Sequence, residues 1–283
     1  SGMGPFTPGF IHAPSYYCYR CPLGHTEGPP KCGYACAQYV KGMINTETSS
    51  SVAAFIAEPA YGVGGVIPAP PDYFKEVKKI LDACDILFIA DEVQTGFGRM
   101  GKMFGIENYG VVPDIITMAK GLGGGFPIGA VAASAEIADS YLGPTFSTFG
   151  GNPVSTAAAL ATMEVIEEER LVENSEKVGE YALKSMKALE EKHPSLDCVD
   201  GKGLMIGAEI VKDKRTREPA SDSMMGGILR GMLNRGVLIG RGGLFYNRIR
   251  FQPPLCITRQ EVDTAIDALD STLYEVEKLH SMI

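Results

Sequence analysis

An α/β fold with a mostly parallel sheet and helices on both faces is predicted by three features of the chain. Residues 86–91 (Ile-Leu-Phe-Ile-Ala-Asp) and 114–119 (Asp-Ile-Ile-Thr-Met-Ala) are short apolar runs, each leading to one ionisable residue, Asp91 or Lys120, and then to glycines. That is the pattern of buried parallel strands delivering a charge to their C-terminal ends. A third run, Val52 to Ala57, stops at Glu58-Pro59, where the proline breaks the ladder and leaves the glutamate at the same edge. Between the first strand and the next lies an amphipathic helix opened by Pro70-Pro71-Asp72, so the order strand, helix, strand points to a βαβ arrangement.

In open α/β sheets the ligand crevice lies beyond the C-terminal strand ends, so Asp91 and Lys120 are expected in one pocket. A carboxylate and an amine so placed suit pyridoxal 5′-phosphate. The amine condenses with the cofactor aldehyde, and the carboxylate keeps the pyridine nitrogen protonated. Taken singly, each residue reads more readily as a surface lysine or a structural aspartate at a strand end.

With 283 residues, 45% hydrophobic and 21% charged, the chain can bury a sizeable core in one or two domains. A net charge of −8 argues against nucleic acid or an anionic membrane as a partner. No apolar run approaches a membrane span and the N-terminus has no signal pattern, so a cytoplasmic location is expected, with a mitochondrial one left open.

Four of the seven cysteines form C-x2-C-x10-C-x3-C at Cys18, Cys21, Cys32 and Cys36, with His12 and His25 nearby. Such spacing can build a zinc site. The short spacer and the position of Cys36 in the first turn of a helix from Tyr34 to Met43 favour packed thiols instead, so no metal is expected. Cys84, Cys198 and Cys256 read as reduced core residues.

Further along, Val131 to Ala133 reads as a strand and Glu136 to Leu142 as a helix. Thr148 lies in Phe146-Ser-Thr-Phe-Gly-Gly-Asn-Pro153, before a long helix, where hydroxyl and backbone N–H groups can meet a phosphate; an ordinary turn and N-cap reads equally well. Helices at 153–170 and 172–192 follow, the second stopped by Pro194. An α+β module completes the chain: strands at 204–211, 237–240 and 248–252, a helix at 221–235, and a last helix opened by the capping box Thr258-Arg-Gln-Glu261. Domains are expected at 1–190 and 191–283. Alternation in Arg248-Ile-Arg250-Phe-Gln252 puts the polar residues on one face, where Arg250 can grip a carboxylate through paired hydrogen bonds or simply face solvent. The glycine runs at 62–65 and 121–125 lack both dinucleotide and P-loop endings.

The stretch Asp91-Glu92-Val93-Gln94-Thr95-Gly96-Phe97-Gly98-Arg99, with the Lys120 and Thr148 segments in order, resembles the class III (omega-amino-acid) aminotransferases, fold-type-I pyridoxal-phosphate enzymes. The resemblance implies a large cofactor-binding domain and a small C-terminal α+β domain. It implies a ping-pong transaminase using Lys120 as the covalent anchor and proton shuttle, with Val93 against the ring and Gln94 near its 3-oxygen. It further implies that Arg250 binds the substrate carboxylate, that Glu58 masks it for ω-amino donors, and that Thr148 reaches the phosphate of a neighbouring subunit's cofactor. A homodimer or dimer of dimers follows, acting on an amino acid and a 2-oxo acid such as pyruvate or glyoxylate.

Gly201–Gly207 and Gly236–Gly243 look most like the alanine–glyoxylate aminotransferase 2 and β-alanine–pyruvate branch. A 4-aminobutyrate or acetylornithine enzyme, an aminomutase or decarboxylase on the same fold, and a non-catalytic subunit are the competing readings. The family's phosphate loop and ring-stacking aromatic are expected to lie before Ser1, on an N-terminal portion outside this sequence.

Overall fold

A computed structural model describes residues 7–49 and 51–282. The chain divides into two compact units: residues up to Phe55 with Ala69–Phe88, and Ile56–Pro68 with Ile89 onward. In the first unit, a loop with one 3-10 turn at Cys18–Arg20 leads to α1 (Ala35–Thr46) and, later, to α2 (Tyr73–Ala83). Helix α2 exists because Tyr73, Phe74, Val77, Ile80 and Leu81 recur at helical spacing and are all buried. They pack in a cluster of rings: Tyr16 against Tyr73, and Phe74 stacked on Phe88 with centroids 5.6 Å apart.

The sheet that carries the predicted site has the order β1 (Ala54–Ala57), β4 (Leu87–Asp91), β5 (Ile115–Met118), β6 (Ala130–Ala133). Strands β4 and β5 are parallel with Asp91 opposite Thr117, so Lys120 leaves β5 three residues beyond the position of Asp91. This matches the expected placement of a carboxylate and an amine on adjacent strand ends. Strand β6 pairs with β5 antiparallel, a direction the apolar run at 131–133 could not reveal because alternation is the same either way. A small hairpin of β2 (Ala60–Tyr61) and β3 (Ile67–Pro68) follows Glu58-Pro59.

After the exposed helix α3 (Ala135–Asp139), shorter than expected, come α4 (Pro153–Glu168) and α5 (Leu171–Lys192). Asn152 caps α4 through Ser155 N–H, as its position before Pro153 dictates. The C-terminal part is an antiparallel sheet, β10 (Gly240–Gly242), β11 (Arg248–Phe251), β8 (Met205–Asp213), β7 (Leu196–Lys202), with β9 (Glu218–Pro219) on β8. Helices α5, α6 (Asp222–Asn234) and α7 (Arg259–Leu279) bury its apolar residues in one continuous core. The Thr258–Glu261 capping box forms as the sequence dictates.

Strand β7 was not foreseen: Leu196-Asp-Cys-Val-Asp-Gly-Lys202 has polar residues at alternate and non-alternate places, and a bulge between Asp197 and Asp200 interrupts its register. The end of α5 is pinned beside it by buried His193, whose ring nitrogens lie 2.8 Å from Glu277 and 2.6 Å from Asp270. Among the described residues no helix is long and apolar enough to cross a membrane.

Candidate active site

The residues of the Asp91–Arg99 segment divide into those that face a cavity and those that hold the segment in shape. Glu92 is fully buried, and its carboxylate accepts hydrogen bonds from Gly105 N–H at 2.8 Å, Ile106 N–H at 2.7 Å and the Thr95 hydroxyl at 2.5 Å. Burial pushes its carboxyl above the ordinary range, against the pull of those donors. Arg99 donates to the carbonyls of Leu204, at 3.1 Å, and Pro253, at 2.6 Å, tying the segment to the C-terminal sheet, and burial draws its guanidinium down to about 10. The sequence alone could not assign these two structural roles, since a charged residue in a motif looks the same whether it faces ligand or backbone.

Facing the cavity are Val93, Gln94 and Lys120, joined by Phe97, Arg99, Thr162 and Gln252 on a wall enclosing about 610 Å³. Asp91 lies beside this wall, its Oδ1 accepting from Val93 N–H at 3.0 Å. Among the described residues the other oxygen of Asp91 has no hydrogen-bond partner, and Lys120 makes no ion pair. Lys120 also adopts φ +45°, a left-handed conformation that a side-chain-bearing residue rarely takes. Such strain at the head of a cavity is a feature of functional positions.

Glu58 is brought to the same place. Its Oε2 accepts from Gly62 N–H at 2.9 Å, and it lies close enough to Asp91 and Lys120 to feel both charges. Burial raises its carboxyl above the usual glutamate value of 4.5; Asp91 adds to the rise, while Gly62 N–H and Lys120 oppose it. The raised value means that ionising Glu58 costs the native state free energy. Its contribution is therefore fully favourable at or below the ordinary value and declines as pH rises through the raised one. In Glu58→Gln, the stability measured by urea unfolding from pH 4.5 upward is expected to lose up to about 1.4 kcal/mol per pH unit of downward slope. An unchanged slope would remove Glu58 as its source.

Gln94 is positioned by a missing atom. A Cβ at Gly62 would stand 2.3 Å from the Gln94 carboxamide carbon, so that side chain lies flat across the glycine. Gly62→Ala is expected to displace Gln94 and lower catalytic efficiency roughly 100-fold, a loss typical of angstrom-scale misplacement, read from steady-state kinetics.

Arg250 and Thr148 stand outside this cavity's wall. Arg250 lies on β11 across from Gly240, its Nε buried and without a hydrogen-bond partner among the described residues. Gln252, two residues on along the same strand face, reaches the cavity. Its neighbour Arg248, which alternation grouped with Arg250, is instead 1% exposed and donates to Gly65 and Val66 carbonyls. Thr148 sits on an exposed loop beside Phe146 and Phe149, which are 92% and 81% exposed. No group of three or more metal-ligating side chains converges among the described residues.

The residues fit pyridoxal phosphate on their own chemistry. A carboxylate with an unengaged oxygen, Asp91, stands beside a cavity whose wall carries a strained lysine, an apolar Val93 and an amide donor seated on a glycine.

Comparison with known proteins gives the same direction. The model of the aminotransferase class-III family matches residues 1–273. A leucine/methionine racemase of Thermococcus litoralis is 45% identical over 264 residues, covering 92% of this chain and 58% of that protein. The mitochondrial alanine–glyoxylate aminotransferase 2 homolog 2 of Arabidopsis thaliana is 44% identical, covering 84% and 50%. A crystal structure of a Bacillus anthracis aminotransferase superposes with a TM-score of 0.88 at 37% identity, covering 96% of this chain and 63% of that one. The chain thus spans about half the length of the curated relatives it matches. With a family match over nearly all of its residues and this strand-end geometry, the chain belongs to the class III aminotransferases.

Proposed function

We propose that this chain is the catalytic part of a pyridoxal-phosphate-dependent transaminase that moves an amino group from an α- or ω-amino acid to a 2-oxo acid. The observation that carries it is the pairing of Asp91 and Lys120 at adjacent parallel strand ends. Residues 1–190 serve as the cofactor-binding domain and 191–283 as the small domain. When bound, the cofactor supplies an electron sink for the substrate Cα.

The protein's own residues do the rest. Lys120 anchors the cofactor through its Nζ, then takes the proton from Cα and returns it as general acid and base. Asp91 holds the proton on the ring nitrogen through its open oxygen. Val93 packs on the ring and Gln94 donates to the oxygen at its edge. Arg250 grips the substrate carboxylate, for which its unpartnered Nε–H supports the assignment, and Glu58 covers it when the donor's amine is remote from its carboxylate. Thr148, on its exposed loop, serves the phosphate bound to a second copy, and so implies a dimer.

The test is the absorbance spectrum of the chain with added pyridoxal phosphate, followed by borohydride reduction and peptide mapping. Label on Lys120, and amino transfer from alanine to glyoxylate or a related 2-oxo acid, are expected; label on another lysine would overturn the site.

A second reading has specific support in the Thermococcus litoralis relative, which is named a leucine/methionine racemase. Racemisation uses the same Cα proton removal but returns the proton to the opposite face. Incubating L-leucine or L-methionine without any 2-oxo acid separates the two. D-isomer in the absence of an acceptor marks a racemase, and strict dependence on the acceptor marks a transaminase.

A further inference from the structure

The wall of the active-site cavity carries two cations, Arg99 and Lys120, and, among the described residues, no carboxylate. Lys120 is taken up by the chemistry above. Arg99 is used only in part: its Nη1 donates to the Leu204 and Pro253 carbonyls at 3.1 and 2.6 Å, and among the described residues it pairs with no carboxylate. Its Nε and Nη2 have no partner among those residues, yet neither is sealed from solvent. The same holds for the carboxamide of Gln252, which lines the cavity next to Pro253. We propose that Arg99 and Gln252 form a second carboxylate anchor inside the cavity, which selects substrates carrying a carboxylate besides the one gripped by Arg250.

The free edge of Arg99, Nε with Nη2, presents two parallel N–H donors, the arrangement that the two oxygens of a carboxylate match. Carbonyls from two separate segments hold Nη1, so the plane of the guanidinium is fixed before a ligand arrives. A partly buried cation without a counter-ion has lost hydration that nothing in the protein replaces, and a ligand carboxylate supplies what is missing. Gln252 adds a neutral donor close by, since the residue after it receives the 2.6 Å bond from Arg99. Arg250 differs on both counts: its unpartnered Nε is buried, and it stands outside the cavity wall. The two guanidiniums therefore serve different groups. That the second carboxylate belongs to a substrate rests on the transaminase reading of the cavity.

The experiment measures binding of glutarate and of pentanoate to the full chain by isothermal titration calorimetry. The probes share a five-carbon chain and differ by one carboxylate, and neither has an amine, so the measurement needs no turnover. The wild-type chain is expected to bind glutarate roughly 10-fold more tightly than pentanoate, the scale of a hydrogen bond to a charged group. Gln252→Leu, which gives up no side-chain bond to the protein, is expected to reduce that preference severalfold. Arg99→Lys, which keeps the charge but loses the paired donors, is expected to abolish it. Where Arg99→Lys disturbs the tie to the C-terminal sheet, Gln252→Leu still decides. No preference in the wild-type chain, an unchanged preference in Gln252→Leu, or a preference that Lys120→Gln abolishes and Arg99→Lys leaves intact would each overturn the anchor. Borohydride labelling reads separately. Label on Lys120 with no glutarate preference overturns the anchor alone, and a preference carried by Gln252 without that label overturns the transaminase reading alone.

Discussion

Lys120→Ala is expected to lower turnover by roughly 10⁴-fold, the upper range for removing a group that transfers the reacting proton, while the fold persists. The two halves of that expectation come from different observations. Lys120 faces the cavity with Val93 and Gln94, one residue beyond the predicted strand and within the field of Glu58. Its side chain is exposed and makes no ion pair among the described residues, so its loss removes no packing on which the sheet depends. Alanine accepts the φ of +45° no worse than lysine does, since both carry a Cβ. Single-turnover kinetics and a thermal melt check the result together. A half-reaction at an appreciable rate in this variant, with no amine added, would sink the role of Lys120. An unfolded variant would instead show that the strained turn needs the lysine stem.

The largest expected effect on stability lies at Arg248. Its Nε donates to the Gly65 carbonyl at 2.7 Å and its Nη2 to that of Val66 at 3.2 Å, while Nη1 lies 3.6 Å from the buried Glu209 carboxylate. A Cβ at Gly65 would come within 2.4 Å of the arginine Cδ, so the hairpin after Glu58 is moulded around this side chain. Arg248→Met keeps much of the volume but strips the cation that faces Glu209 and the donors to two carbonyls. The expected cost is about 3–5 kcal/mol, the range for breaking a buried ion pair from one side. Urea unfolding measures it, and the double variant Arg248→Met with Glu209→Gln is expected to recover part of the loss. A cost below about 1 kcal/mol would place the pair with the exposed ones, which contribute little.

Much of this protein is legible in its sequence. The apolar runs ending in Asp91, Lys120 and Glu58 announce strands and the edge at which they stop, because a buried parallel strand must be apolar throughout and can release a charge only at its end. Asn152 before Pro153, and Thr258 with Glu261, mark helix starts through hydrogen bonds made within a few residues. These signals are local, so they survive without knowledge of the fold.

What the tertiary structure decided is of another kind. Arg248 and Arg250 have identical chemistry and the same face by alternation, yet one is sealed against the Gly65–Val66 backbone and the other keeps an unpartnered Nε. Glu92 and Asp91 adjoin, yet one is consumed by three protein donors and the other keeps an oxygen open for a ligand. Strand β7 forms because its neighbour β8 supplies hydrogen-bond partners for an irregular sequence, and β6 takes its antiparallel direction from its pairing with β5. Composition and periodicity report which residues leave water. They do not report which distant backbone groups arrive to meet them, and it is those partners, up to 183 residues away in the case of Arg248 and Gly65, that separate a structural charge from one held ready for chemistry.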